Sequence, residues 1–92
     1  MQGFTLRVVM PEGLFFDGEV LRVSLRAATG DVGILRGHEP YVAALGDGEM
    51  RLVLADGEKT ASVAGGFIRV SPTQTTIVAR SCAWKQRSGP DV

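Results

Sequence analysis

The 92-residue chain has one cysteine, Cys82. A lone cysteine excludes an internal disulfide and a zinc knuckle, and it fits a reducing compartment. It also has one histidine, His38, so any metal site or catalytic triad would rest on a single imidazole. Ten basic and ten acidic residues cancel. Without a clustered basic excess the chain is not expected to bind nucleic acid through its phosphates, or anionic lipid through a polybasic segment. No run approaches the roughly 18 apolar residues of a membrane span. The start, MQGFTLRVVMPEG, carries only Arg7 before it breaks at Pro11, so it is neither a secretory signal nor an arginine-rich transit peptide. No stretch sustains a helical period. Residues 41–45 come nearest, but they are too few and lie between Pro40 and Gly46.

Short alternating segments, punctuated by glycine, are what the chain does have. Hydrophobic residues are 45% of the chain, enough for one thin core at this length, and there is no room for a second domain. Phe4, Leu6, Val8 and Met10 alternate with Thr5 and Arg7; Leu21, Val23, Leu25 and Ala27 alternate with Arg22, Ser24 and Arg26. Met50, Leu52 and Leu54 alternate with Arg51 and Val53. A period of two is that of a strand with one buried face. Asp56-Gly57 predicts a hairpin turn, with a return strand over residues 59–64. Residues 67–70 and 75–80 predict a last pair, joined across Ser71-Pro72-Thr73-Gln74 with the proline near a turn's second position. Gly65-Gly66 reads as a kink or bulge before a strand. Many short strands with regular turns indicate an all-β sandwich or barrel spanning residues 1–84, followed by a polar, frayed tail over 85–92.

Few residues could carry chemistry. His38 as a general base would need Glu39 or Asp31 to orient it, and neighbours on an extended chain point to opposite faces. A loop histidine that fixes backbone or meets a partner is the favoured reading. Cys82 with His38 as its base would need a thiolate, which nothing near it favours except Arg80 and Lys85; a small, part-buried side chain is the favoured alternative. Gly30, Gly33 and Gly37 fit neither a P-loop nor a dinucleotide fingerprint, and no helix follows them. Trp84 either covers the core or stands exposed as a contact. Composition and pattern lead to a small all-β domain with no catalytic apparatus, no metal and no cofactor.

The loops carry more. GDVGILRGHEPYVAAL, residues 30–45, followed by the Gly46-Asp47-Gly48 turn and the strand from Glu49, resembles the signature of F-type ATP synthase epsilon subunits: G-x-x-G-[IV]-[LY]-P-G-H-A-P-L-x-x-x-L, a Pro-Gly turn, then a strand. Residues 6–12 resemble that family's opening L-x-[IV]-V-[TS]-P-[ED], and Phe15 to Val20 its F-x-G-x-V. Residues 64–72 resemble S-G-G-F-x-E-V-x-P, and residues 76–79 the closing V-T-V-L-A. These landmarks keep the family's order and spacing from about residue 4 to residue 80. Arg36 stands where the loop proline is usual, Glu39 where a small residue is usual, and Gly46-Asp47-Gly48 where Pro-Gly is usual. Losing the proline is expected to leave the loop less rigid and to add a charge at a contact.

The resemblance implies a ten-stranded antiparallel β-sandwich with little or no helix. It implies a non-catalytic central-stalk subunit that joins the gamma subunit to the membrane c-ring during ion-driven ATP synthesis, peripheral to the cytoplasmic face of a bacterial inner membrane. Isolated, the chain would be a monomer. The partner contacts it implies are Asp31, Ile34, Leu35, Arg36, Gly37, His38, Glu39 and Pro40, with Asp31 toward the c-ring and His38 near gamma and the c-ring. Family members continue into two antiparallel helices, so the resemblance also implies a form lacking that inhibitory hairpin, either naturally short or cut after the sandwich. A small β-sandwich module that binds a ligand or peptide is the alternative; exposed aromatic platforms would mark it, and the aromatics here are scattered.

Overall fold

The computed structural model describes residues 3–27 and 30–85. Within them lie eight strands and no helix: β1 (Phe4–Met10), β2 (Gly13–Val20), β3 (Arg22–Ala27), β4 (Gly30–Leu35), β5 (Tyr41–Ala44), β6 (Gly48–Leu54), β7 (Gly57–Val70) and β8 (Gln74–Trp84). The all-β expectation holds. The count of ten does not, because residues 59–64 and 67–70 belong to one continuous strand, β7, and β8 runs on past residue 80 to Trp84.

The missing two strands are accounted for by the length of β7 and β8. Residues 66–70 of β7 pair with β5 and with residues 75–79 of β8, which in turn pair with β1 and so with β2. Residues 57–63 of β7 pair with β6, then β3, then β4, while residues 81–84 of β8 flank them on the other side. Two layers of five strand segments result, and β7 and β8 pass through both. Nor are the strands all antiparallel. β1 runs parallel to β8, from Thr5↔Gln74 to Val9↔Val78. No hairpin joins these two strands, so no short turn imposes opposite directions on them.

The Gly65-Gly66 pair makes the passage between layers possible. Before it, Ala61 and Val63 are buried; after it, Ile68 and Val70 are, so the inward face switches from odd to even residues. The β7–β8 register holds throughout, from Ala61↔Trp84 to Val70↔Thr75. The strand therefore turns over without gaining a residue, and two successive positive φ angles, 65° and 113°, accomplish the turn. Glycine is the residue that adopts such angles freely.

Alternation does the rest. Phe4, Leu6 and Val8 of β1, Val23, Leu25 and Ala27 of β3, and Met50 and Leu52 of β6 are buried, with Ile34, Ile68, Val70, Ile77 and Ala79. Each large aliphatic buried this way contributes about 1.5–3 kcal/mol, and a one-residue slip would turn that set outward. Met10 and Leu54, expected in the same stripes, are half-buried at strand ends, and Leu21 lies just before β3 with its amide bonded to the Val53 carbonyl. Thr75 is wholly buried, and its hydroxyl has no partner.

The two turns expected from sequence form, one with a different chemistry. Ser71 donates to the Gln74 carbonyl with Pro72 in the second position, as anticipated. In the β6–β7 hairpin, Leu54 pairs with Gly57 across Ala55-Asp56. No non-glycine residue has a positive φ among the described residues, and Gly57 has φ 151°, so the glycine serves in the fourth position of the turn rather than beside Asp56 in its centre. Lys85 still bonds through its amide to the Thr60 carbonyl. The frayed tail expected over 85–92 otherwise lies outside the described residues.

Candidate partner-contact surfaces

The run from Asp31 to Pro40 is not one loop. Residues 30–35 form β4, so Asp31 lies at the start of a strand and His38 beyond its other end. Asp31 pairs with Arg26 across the β3–β4 ladder, its carboxylate 3.4 Å from the guanidinium, with both side chains exposed. It borders a shallow depression of about 430 Å³ together with Arg26, Asp47 and Glu49. Ile34, expected at the contact, is wholly buried, because alternation along β4 turns it into the core and turns Leu35, 49% exposed, outward.

Loop 36–40 is held from three sides. His38 donates its amide to the Leu35 carbonyl, and Gly37 has φ 83°. With Arg36 at negative φ, these features define a type II turn. The Gly37 amide donates to the Pro72 carbonyl, tying the turn to the β7–β8 connection. Arg36 Nη1 donates to the Gly3 carbonyl, 3.0 Å away, just before β1. The turn that a proline would favour therefore survives without one, and the charge that replaces it reaches back to the chain's own backbone. His38 Nδ1 lies 2.7 Å from the Glu39 carbonyl oxygen. A carbonyl only accepts, so Nδ1 carries the hydrogen. The ring meets Tyr41 edge-on at 5.9 Å. His38 thus uses the backbone of Glu39 and not its carboxylate, and Asp31 is engaged elsewhere.

The His38–Cys82 pair does not assemble. His38 is anchored near Pro72, whereas Cys82 lies eight residues along β8 from Gln74, roughly 25 Å at a strand's rise. Burial also pushes the Cys82 thiol up, away from the thiolate a nucleophile needs. No group of three metal-ligating side chains occurs among the described residues.

Sequence reasoning missed an exposed apolar row. Across the outer side of the first layer, Ala44 pairs with Phe67, Phe67 with Val78, Val78 with Val9 and Val9 with Leu14. Directly opposed residues share a face, so the five make one apolar row over five adjoining segments. Leu14, Phe67 and Val78 are all substantially exposed, as is Val42 beside the row. Val9, Met10, Pro11, Phe67 and Val78 line a groove of about 350 Å³ there. The next row starts at Val42 and is otherwise polar, with Arg69, Thr76, Arg7 and Asp17, the last two ion-paired at 3.3 Å. An apolar centre with a charged margin is the make-up of a protein-binding patch. The strand periods were visible in sequence, but the line appears only once the cross-strand register is known. Trp84 is also placed: it stacks on Phe15 at 4.5 Å and meets Phe16 edge-on at 6.1 Å, with Lys59 Nζ 5.3 Å from its ring centre.

Comparison with known proteins agrees with this architecture. A family profile described as ATP synthase, Delta/Epsilon chain, beta-sandwich domain matches residues 3–85. The chain is 42% identical over 81 residues to the ATP synthase epsilon chain of Bacillus velezensis, covering 88% of this chain and 61% of that one. It is 34% identical over 86 residues to that of Caldicellulosiruptor saccharolyticus, covering 94% and 63%. It therefore spans less than two thirds of the length of these relatives. A chain in the Euglena gracilis mitochondrial ATP synthase superposes with a TM-score of 0.85 at 22% identity, covering 91% of this chain and 54% of that one. One in the central stalk and c-ring of the Tetrahymena thermophila enzyme gives 0.71 at 14%, covering 88% and 66%. At such identities the two structures speak for the fold alone. With a profile match over nearly the whole sandwich and relatives above 30% identity, the chain belongs to the β-sandwich domain family of ATP synthase delta and epsilon chains.

Proposed function

We propose that this chain is a non-catalytic rotor piece of an F-type ATP synthase, joining the gamma subunit to the c-ring. The observation that carries the proposal is the apolar row Ala44–Phe67–Val78–Val9–Leu14, lying open on a chain of this family. We assign that face to gamma, with loop 36–40 beside it, because the loop leads directly into β5, whose Val42 and Ala44 are exposed on the same layer. The opposite end of β4, with Asp31 exposed, is assigned to the c-ring. A carboxylate there would give charge complementarity and register to a polar loop rather than much affinity. Within this assignment the contacts are Asp31, Leu35, His38, Glu39 and Pro40. Ile34 drops out as core, and Arg36 and Gly37 shape the turn.

No helix among the described residues is long and apolar enough to cross a membrane. The chain is assigned a peripheral place at the cytoplasmic face of a bacterial inner membrane, held there by its partners, and a monomeric state when alone. The deciding experiment mixes the purified chain with gamma and c-ring from a bacterial enzyme, then adds it to an epsilon-depleted complex and follows proton pumping. Capture by gamma and recovery of pumping are expected. Absence of both, with retention on a glycan or peptide array, would overturn the assignment.

A further inference from the structure

We propose that Arg36 is the positioning residue of the loop that carries His38: its guanidinium, bonded to the Gly3 carbonyl, holds a type II turn that a proline would hold through its ring.

Arg36 occupies the second position of the turn Leu35-Arg36-Gly37-His38, closed by the His38 amide on the Leu35 carbonyl. Proline is common at that position because its ring fixes φ near the value required. Arginine imposes no such constraint. The side chain supplies another one by reaching 33 residues back, with Nη1 3.0 Å from the Gly3 oxygen. A charged donor on a carbonyl is stronger than a neutral bond, and this one is part-buried. Its acceptor is itself fixed: Gly3 is buried, with no room for a Cβ against the Val20 carbonyl.

The two devices differ in what they depend on. A ring acts locally, whereas a tether to Gly3 makes the loop's shape conditional on β1 lying in place. β1 contributes Val9 to the apolar row, so loop and row are mechanically joined. Proline would fit here, since Leu35 ends a strand and is extended, as the residue before proline must be.

The test uses the full chain and amide hydrogen exchange by NMR. The Gly37 and His38 amides report on the turn, and Ile77, deep in β8, reports on the whole fold. Arg36→Ala is expected to speed exchange at Gly37 and His38 by about fivefold or more with Ile77 unchanged. Arg36→Pro is expected to restore both. Smaller acceleration in Arg36→Ala, an equal acceleration at Ile77, or no recovery with proline would each overturn the proposal. A second arm measures capture by purified gamma and rests on the assignment above. If the loop amides loosen while capture is unchanged, the loop's part in that assignment fails and the tether stands.

Discussion

Gly66 lies so close to the carbonyl oxygen of Val78 that a Cβ on it would drive into the backbone of β8. The clash is with main chain, which cannot swing aside as a long side chain can. Its φ of 113° adds a second penalty for any other residue. Gly66→Ala is therefore expected to cost at least about 2 kcal/mol. Gly48→Ala is the control, because a Cβ there meets only the Arg26 side chain at ordinary contact distance, and φ is unremarkable. That change is expected to stay within about 0.5 kcal/mol. Urea denaturation of the two variants side by side measures the contrast.

Thr75 has the opposite character: it can be improved. Its hydroxyl is buried among core side chains without a partner. Leaving such a group unpaired costs about 1–3 kcal/mol, and valine keeps the shape without the oxygen. Thr75→Val is expected to raise stability by about 1 kcal/mol. A lower melting temperature than the parent would show that the hydroxyl is satisfied after all.

Glu49 and Lys85 bring the last described residue back onto β6. The hydrogen bond from Lys85, and then its charge, hold the Glu49 carboxyl below the usual carboxylate range, and Arg51 adds to this. A depressed folded pKa contributes stability above the unfolded value, and that contribution is lost as pH falls through the folded one. The loss is therefore expected on the acid side, below the ordinary range for glutamate. In Lys85→Ala the Glu49 titration followed by NMR should move up toward the ordinary value. An unmoved titration would mean that the pair does not persist in solution.

Two surface changes separate the proposed partners. Phe67→Glu places a charge in the middle of the apolar row and is expected to weaken capture by gamma about tenfold or more. Phe67 is 46% exposed, so the fold should survive. Asp31→Arg is expected to weaken c-ring binding while leaving gamma capture intact. Its ion pair with Arg26 is exposed on both sides, and such pairs contribute little to stability. Titration of each partner separately, with a melting curve for each variant, checks both. Equal loss toward both partners would argue against two distinct surfaces.

The sequence carried the strands well where one side faces the core, because a period of two is a local signal. β1, β3 and β6 were legible for that reason. The fusion of two expected strands into β7 was not, since Gly65-Gly66 looks the same whether it ends a strand or inverts one. The parallel β1–β8 pairing joins residues some seventy positions apart, and nothing local encodes it. At the candidate surfaces, the motif located His38 and Asp31 but ran them together, and it counted Ile34 as surface. Which side of a strand faces inward decides that, and the loop signature does not hold this information. The role of Arg36 was beyond reach, because its acceptor is a backbone oxygen that only the folded chain brings near.

The strand shared between the two layers has a bearing on how the molecule yields under force. Two stacked sheets joined only by loops can slide over one another, with side chains as the sole friction. Here β7 and β8 are spliced through both sheets as a continuous hydrogen-bonded ribbon. Sliding would require that ribbon to stretch or its ladder to tear. The shared ribbon therefore couples the two sheets and opposes shear between them.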